Sequence, residues 1–213
     1  MLNFNGRSVA VVGNSDILLQ RNYATLIDEC DYVLRFNQAR VVGYEKYVGH
    51  RTTHRIVNHH TFLGTSDKSS FSEYDENFLP MLEDQEILLC KPLAGYSRIA
   101  AERGFRCPVT CLSERVTKEA RRYLRARKGK YLQPRPSYLQ PALSDPTSGF
   151  LGIFAATTLS DYVSIFGFDL EPTTELRLNH YWESVSGGFS GMHDFSGERE
   201  AIRRLVWETR VHS

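Results

Sequence analysis

Two short turns of small and polar residues, each placed before a helix, are the segments best suited to hold a phosphate. One is Gly13–Asp16 and the other is Pro146–Gly149. Small residues let a ligand approach the backbone, and the free N–H groups and positive dipole end of the following helix attract an anion. A single turn of this kind is commonly only a turn with a helix cap. Two together favour a nucleotide or phosphate site.

Two histidines near the C-terminus could move a proton or bind a phosphate. His180 begins the run His180–Glu183, and His193 is followed by Glu198 five residues later. Histidine accepts a proton near neutral pH and, when charged, can donate to a phosphate oxygen. The alternative is a pair of surface-loop histidines, with Glu198 serving only to favour the N-terminus of the last helix.

The elements that must position these residues alternate between strands and helices. The chain opens with a strand at Ser8–Gly13, a helix over Ile17–Asp28 with Asp16 as its cap, and strands at Tyr32–Phe36 and Thr52–Val57. Later strands are predicted at 86–90, 109–112 and 162–168, and later helices at 96–103, 113–128, 150–160 and 196–209. Such an order predicts a parallel α/β sheet, which binds its ligands at the carboxyl ends of the strands.

Length and composition predict one globular domain over residues 1–213, with 41% hydrophobic and 24% charged residues. The net charge is +1, from 26 basic and 25 acidic residues, so nucleic acid is not expected as a partner. No segment approaches the roughly 20 apolar residues of a membrane span, and the N-terminus lacks the pattern of a signal peptide. We therefore expect a cytoplasmic protein.

Four cysteines, Cys30, Cys90, Cys107 and Cys111, are too few and too unevenly spaced to predict a disulfide scaffold. Cys107 and Cys111 could contribute to a zinc site, but a closed site needs four ligands and no second pair lies nearby. Ordinary reduced thiols are the favoured interpretation. We expect no metal and no cofactor.

Taken in chain order, these segments resemble the four sialylmotifs of the animal-type sialyltransferase family. The large motif resembles 9–57, the small motif 145–168, motif III His180–Glu183, and the very small motif His193–Glu198. Together the matching segments cover about half of the chain. Each match is weak alone, and their combination in the family's order is specific.

The resemblance implies a single-domain variant GT-A fold, with a Rossmann-like, mostly parallel sheet and helices on both faces. It also implies an inverting, metal-independent transferase that moves sialic acid from CMP-sialic acid to a hydroxyl of an acceptor glycan. His193 would be the base that takes the acceptor proton, and His180 would stabilise the leaving phosphate. The residues implied for binding CMP are Asn14, Ser15, Asn37, Thr147, Ser148 and Gly149. Those implied to support the site are Tyr181, Trp182 and Glu198.

The sequence departs from the family pattern at several positions. The two cysteines of the family disulfide correspond to Val9 and Ser160, which suits a reducing compartment. Asp16 stands where the family usually has glycine, and its charge would repel an anionic donor nearby. Asn179 replaces a histidine that often precedes motif III, so acceptor preference does not carry over.

Two other functions stay open. One is a catalytically inactive module that binds CMP or another nucleotide, and the other is a transferase of a different CMP-activated ulosonate sugar. A Ser/His hydrolase is disfavoured because the chain lacks a Gly-x-Ser-x-Gly nucleophile turn.

Overall fold

A six-stranded parallel sheet lies at the centre of the protein. The computed structural model describes residues 3–65, 78–82, 86–128, 146–170, 180–183 and 195–210. The strands are β1 Val9–Val12, β2 Tyr32–Phe36, β3 His54–Val57, β4 Ile87–Cys90, β5 Val109–Cys111 and β6 Val163–Phe166. Their order is β5-β4-β3-β2-β1-β6, and every neighbouring pair is parallel. The predicted parallel α/β sheet is confirmed.

Helices follow or precede these strands. They are α1 Ala24–Asp28, α2 Glu45–Val48, α3 His59–Leu63, α4 Phe78–Met81, α5 Tyr96–Glu102, α6 Glu114–Lys128, α7 Ser148–Leu159 and α8 Phe195–Arg210, with a 3-10 helix at Asp16–Gln20. No helix within these described ranges is long and apolar enough to cross a bilayer. The predicted irregular segment 129–146 lies, except for Pro146, outside the described residues.

Side chains of successive strand residues pack on opposite faces of the sheet. Val9 and Val11 join a core cluster with residues of α6, α7 and α8. Ala10 and Val12 join a second cluster with Leu18 of the 3-10 helix and other residues of that side. Because both faces of β1 are fully buried, the strand is a continuous apolar run. Helices on both faces were expected and are confirmed.

The helix predicted over Ile17–Asp28 is wrong. The chain instead forms the 3-10 helix and then α1, with Asn22 between them. The Asn22 side chain accepts from the Ala24 backbone N–H at 3.2 Å, which offers the backbone an alternative to continuing the helix. The predicted cap is also displaced by one residue, since the Ser15 hydroxyl accepts from Ile17 N at 3.4 Å.

All four cysteines are free thiols. Cys111 on β5 lies opposite Cys90 on the adjacent strand β4, with 2.9 Å between their sulfur atoms. Burial raises the pKa of Cys90. Within the described ranges there is no group of three histidine, cysteine or acidic residues arranged to hold a metal ion.

Ser160, one of the two positions implied for the family disulfide, ends α7 at the entrance to β1. It is 5% exposed, and its hydroxyl donates to the Arg7 carbonyl at 2.6 Å. This contact joins the end of α7 to the segment that leads into Val9. A hydrogen bond therefore ties the two segments at this point.

We predict that His54 makes the stability of the fold depend on pH. His54 is 6% exposed, and its imidazole packs edge-on against the rings of Phe4 and Tyr32, at centroid distances of 5.3 and 5.5 Å. Burial lowers the pKa of His54 from 6.5 to about 4. Between these values the unfolded chain binds a proton that the folded chain does not. The free energy of unfolding should therefore fall by up to about 3 kcal/mol as pH drops from 6.5 to 4.

The measurement is urea denaturation at several pH values between 7 and 4. His54→Leu should flatten the dependence relative to the unsubstituted protein, whereas His59→Leu, at an exposed position, should leave it unchanged. Equal slopes in all three proteins would show that His54 does not contribute.

Candidate functional site

At the carboxyl edge of the sheet, the ends of β1 and β6 form a point at which the order of the strands reverses. The chain leaves β1 toward β2 on one side, while β6, the last strand, pairs with β1 on the other. At such a point the connecting segments diverge and leave room for a ligand. Gly13 and Asn14 follow β1, and Gly167 and Phe168 follow β6.

The turn after β1 is bound to the end of β6 through the backbone. Gly13 N donates to the Phe166 carbonyl at 2.7 Å, and Ser15 N donates to the Gly167 carbonyl at 3.2 Å. A Cβ added to Gly13 would lie 2.4 Å from the Gly167 carbonyl oxygen. Because that neighbour is backbone and cannot rotate away, this position requires glycine.

The Phe168 ring connects the two predicted phosphate-binding turns. A Cβ on Gly13 would lie 3.0 Å from its Cε2 atom, and a Cβ on Gly149 would lie 3.0 Å from its Cε1 atom. The same ring packs edge-on against Phe36 at the end of β2, with 6.1 Å between centroids. Both turns are therefore adjacent to one aromatic ring.

The second turn is fixed by contacts from three elements. Thr147 caps α7 by accepting from Phe150 N at 3.0 Å. Glu198 of α8 accepts from Thr147 N at 2.8 Å and from the Thr147 hydroxyl at 2.6 Å. Lys91, directly after β4, donates to the Pro146 carbonyl at 3.0 Å. The N–H groups of Ser148 and Gly149 lie in the first helical turn, where no intrahelical carbonyl is available to them.

Asn14 and Asn37 lie in the turns that follow β1 and β2. The Asn14 amide nitrogen contacts the Phe36 carbonyl at 3.5 Å. Within the described part of the chain, the Asn14 Oδ1 atom is buried and accepts no hydrogen bond. Asn37 has a positive φ of 47°, and its Oδ1 atom accepts from Asn58 N at 2.9 Å.

A buried ion pair holds the backbone at Asn37. Arg55 and Glu86 contact each other at 2.8 and 3.2 Å, and their side chains are 2% and 1% exposed. The Arg55 guanidinium also donates to the carbonyls of Asn37 and Ala39, each at 3.0 Å. These bonds support the left-handed conformation at Asn37, which is unfavourable for most residues.

The segment His180–Glu183 is attached to the turn after β1. Tyr181 N donates to the Asn14 carbonyl at 2.9 Å, and the Tyr181 hydroxyl donates to the Arg40 carbonyl. Tyr181 is 2% exposed, and burial raises its pKa to about 12. The phenol therefore remains protonated and a donor at neutral pH.

His180 and its neighbours form a small cluster on this segment. The His180 Nδ1 atom lies 2.5 Å from the Glu183 Oε1 atom. The imidazole stacks on the Trp182 ring, with centroids 4.7 Å apart and planes inclined by 11°. Trp182 in turn packs edge-on against Tyr181. The orientation of the imidazole is therefore set from two sides.

Comparison with known proteins identifies the family. The family model for glycosyltransferase family 29 (sialyltransferase) matches residues 5–210. The chain belongs to this family. The resemblance seen in the sequence motifs is therefore confirmed.

Named relatives and a solved structure agree with the assignment. The chain is 29% identical, over 90% of its length, to the CMP-N-acetylneuraminate-beta-galactosamide-alpha-2,3-sialyltransferase 1 of Gallus gallus. It is 29% identical, over 96% of its length, to the CMP-N-acetylneuraminate-beta-galactosamide-alpha-2,3-sialyltransferase 2 of Mus musculus. It spans about half of each relative, 53% and 56% respectively. A crystal structure of a mammalian sialyltransferase matches 96% of this chain and 67% of its own, with a TM-score of 0.65 and 23% identity. The GT-A-like fold is confirmed.

Most predicted site residues of this family 29 member come together at the carboxyl edge. The turn with Asn14 and Ser15, the turn with Thr147, Ser148 and Gly149, and the segment with His180, Tyr181 and Trp182 are connected by the contacts above. Asn37 lies at the same edge, and Glu198 supports Thr147. His193 and Asn179 lie outside the described residues.

Four contributors were missed in the sequence. Phe168 and Lys91 contact the two turns, Arg55 binds the Asn37 carbonyl, and Glu183 contacts His180. Only Glu183 has a local signal, since a histidine and an acid three residues apart can meet within one turn. The other three act over long sequence separations.

Glu198→Ala should destabilise the protein more than a matched change on the same helix. Its removal leaves the Thr147 N–H and hydroxyl without the carboxylate they share, in a site where Glu198 is 6% exposed. We expect the free energy of unfolding to fall by about 2 kcal/mol in urea denaturation.

The control is Glu200→Ala. Glu200 pairs with Arg204 on the surface at 2.9 Å, so its loss should cost less than about 0.5 kcal/mol. Similar losses for the two variants would argue against a special role for the Glu198 contact with Thr147.

Proposed function

We propose that this protein is an inverting sialyltransferase. In this reaction a hydroxyl of an acceptor glycan attacks the anomeric carbon of the sialic acid in CMP-sialic acid. The new glycosidic bond forms as the bond to the CMP phosphate breaks. Family membership and the activity named for the relatives support the proposal.

The observation that carries the proposal is the junction of three segments at the carboxyl edge of the sheet. The Phe168 ring touches both glycine turns, and Tyr181 N binds the Asn14 carbonyl. A nucleotide monophosphate needs donors for its phosphate and polar partners for its base and ribose. The three segments supply both kinds of group within a small volume.

The polar groups of these segments match the parts of CMP. The first-turn N–H groups of Ser148 and Gly149, together with the positive end of the α7 dipole, suit the phosphate. The buried Asn14 Oδ1 atom needs a donor, and a ribose hydroxyl or the cytosine amino group would satisfy it. Asn37 and Ser15 are polar neighbours on the same edge and complete the proposed donor site.

The proposed chemistry divides the work between two histidines. His193 in its neutral form would take the proton from the acceptor hydroxyl as that oxygen attacks. His180 in its charged form would donate to the phosphate oxygen on which negative charge accumulates as CMP departs. Both are ordinary uses of histidine in catalysis. No metal ion takes part in this scheme.

One observation favours a second candidate, a module that binds CMP without transferring sugar. Asp16 begins the 3-10 helix beside the first turn, and its carboxylate accepts from the Ser15 hydroxyl at 3.4 Å. A negative charge at this place opposes the binding of an anionic sugar. A module that binds CMP alone would not have to accommodate the sugar carboxylate near Asp16.

The experiment is incubation with CMP-sialic acid, with and without galactosyl, GalNAc and sialyl acceptors, followed by assay of free CMP and glycan product. An enzyme should form product with at least one acceptor and slowly release CMP without any. Tight CMP binding with neither outcome would support the inactive module. Product from a different CMP-activated sugar alone would replace the donor in the proposal.

His193→Ala should reduce transfer by roughly 10²- to 10⁴-fold, because the acceptor proton loses its base. The affinity for CMP, measured by calorimetry, should change little. His180→Ala should lower both turnover and CMP affinity, because it removes a donor to the phosphate. His50→Ala, whose imidazole pairs with Asp28 on the surface, is the matched control and should behave as the unsubstituted protein. Wild-type turnover in His193→Ala would refute its role as the base.

A further inference from the structure

His180 and Glu183 contact each other within a single turn of the chain. The Nδ1 to Oε1 distance is 2.5 Å, and Glu183 N donates to the His180 carbonyl at 3.1 Å. The two side chains are 24% and 26% exposed, so both are partly shielded from water while one edge of the pair stays open. This arrangement is more specific than a surface ion pair between long, mobile side chains.

The imidazole has little freedom to turn away from the carboxylate. Trp182 stacks along its face at a centroid distance of 4.7 Å. The backbone on which it stands is fixed by the Tyr181 bonds to Asn14 and Arg40. The plane of the ring and the direction of Nδ1 are thus both determined.

The carboxylate determines which nitrogen of His180 can face a ligand. An ionised carboxylate only accepts hydrogen bonds, so the Nδ1 atom that faces it carries the hydrogen. Nε2 is then the nitrogen that remains available to a ligand. For Nε2 to donate to a phosphate it must carry a hydrogen as well, which makes the ring an imidazolium. Glu183 supplies the compensating negative charge.

We propose that Glu183 is a positioning residue that holds His180 with Nε2 toward the CMP phosphate. The inference rests on the proposed function of His180. Glu183 itself does not touch the donor in this scheme. Its effect on binding and turnover passes through the imidazole.

Among the residues that the structure describes, no other charged group contacts the His180 ring. The Tyr181 hydroxyl is turned to the Arg40 carbonyl. Arg35 and Arg55 interact electrostatically with Tyr181 from the sheet side, and Tyr44 packs against the Tyr181 ring. The neighbouring first turn contributes the neutral Asn14 through its backbone carbonyl. Glu183 is the charged group in direct contact with the imidazole among the described residues.

The test is Glu183→Gln, which keeps the size of the side chain and removes its charge. At pH 7 we expect the dissociation constant for CMP, measured by calorimetry, to rise about tenfold, the loss of one charge-assisted hydrogen bond. The unfolding transition should stay close to that of the unsubstituted protein.

A double-mutant cycle separates positioning from a structural effect. In a His180→Ala background, Glu183→Gln should leave the CMP affinity unchanged, because the residue through which it acts is gone. Glu200→Gln on α8 is the matched control and should leave the affinity for CMP unchanged.

Each outcome bears on one claim. If Glu183→Gln binds CMP normally while His180→Ala loses affinity, the positioning role is overturned and the proposed function stands. If Glu183→Gln weakens CMP binding equally in both backgrounds, its effect does not pass through His180 and the inference is again overturned. If His180→Ala binds CMP and turns over normally, the proposed role of His180 fails first.

Discussion

The site depends on one close approach, that of the Phe168 ring to Gly13 and Gly149. Parallel strands bring the turns after β1 and β6 to the same edge of the sheet, but pairing of the strands does not fix where the start of α7 lies. The ring does so, because a Cβ at either glycine would be 3.0 Å from it. The distance between the two turns is therefore determined by the packing of the Phe168 ring against the backbone of two glycines.

Buried charges serve the same edge by holding backbone atoms. Arg55, paired with Glu86, binds the carbonyls of Asn37 and Ala39, and Glu198 binds the Thr147 N–H. Burying charges is costly, and an apolar pair of similar size often gives equal stability. The advantage of these charged groups is that their hydrogen bonds are directional, because a guanidinium and a carboxylate can each hold two groups at fixed angles. A hydrophobic replacement would leave those backbone groups unsatisfied.

The sequence predicted the sheet well because buried parallel strands are short β-branched runs bounded by turn residues, as at Val9–Val12 and Tyr32–Phe36. It failed at Ile17–Asp28, where the Asn22 side chain bonds to the backbone and interrupts an otherwise helical pattern. Contacts such as those of Phe168 with Gly13, or Lys91 with Pro146, leave no periodic trace. They follow from the order of strands and become visible only when the sheet is assembled.

A buried positive charge, that of Arg35, lies near the segment His180–Glu183. Arg35 is fully buried and donates to Thr52 and to the carbonyls of Val48 and Arg51. Burial lowers its pKa to about 10, which still leaves it charged at neutral pH. Its interaction with Tyr181 puts a positive charge behind the segment that bears His180. In a region of low dielectric such a charge favours an anion in front of it.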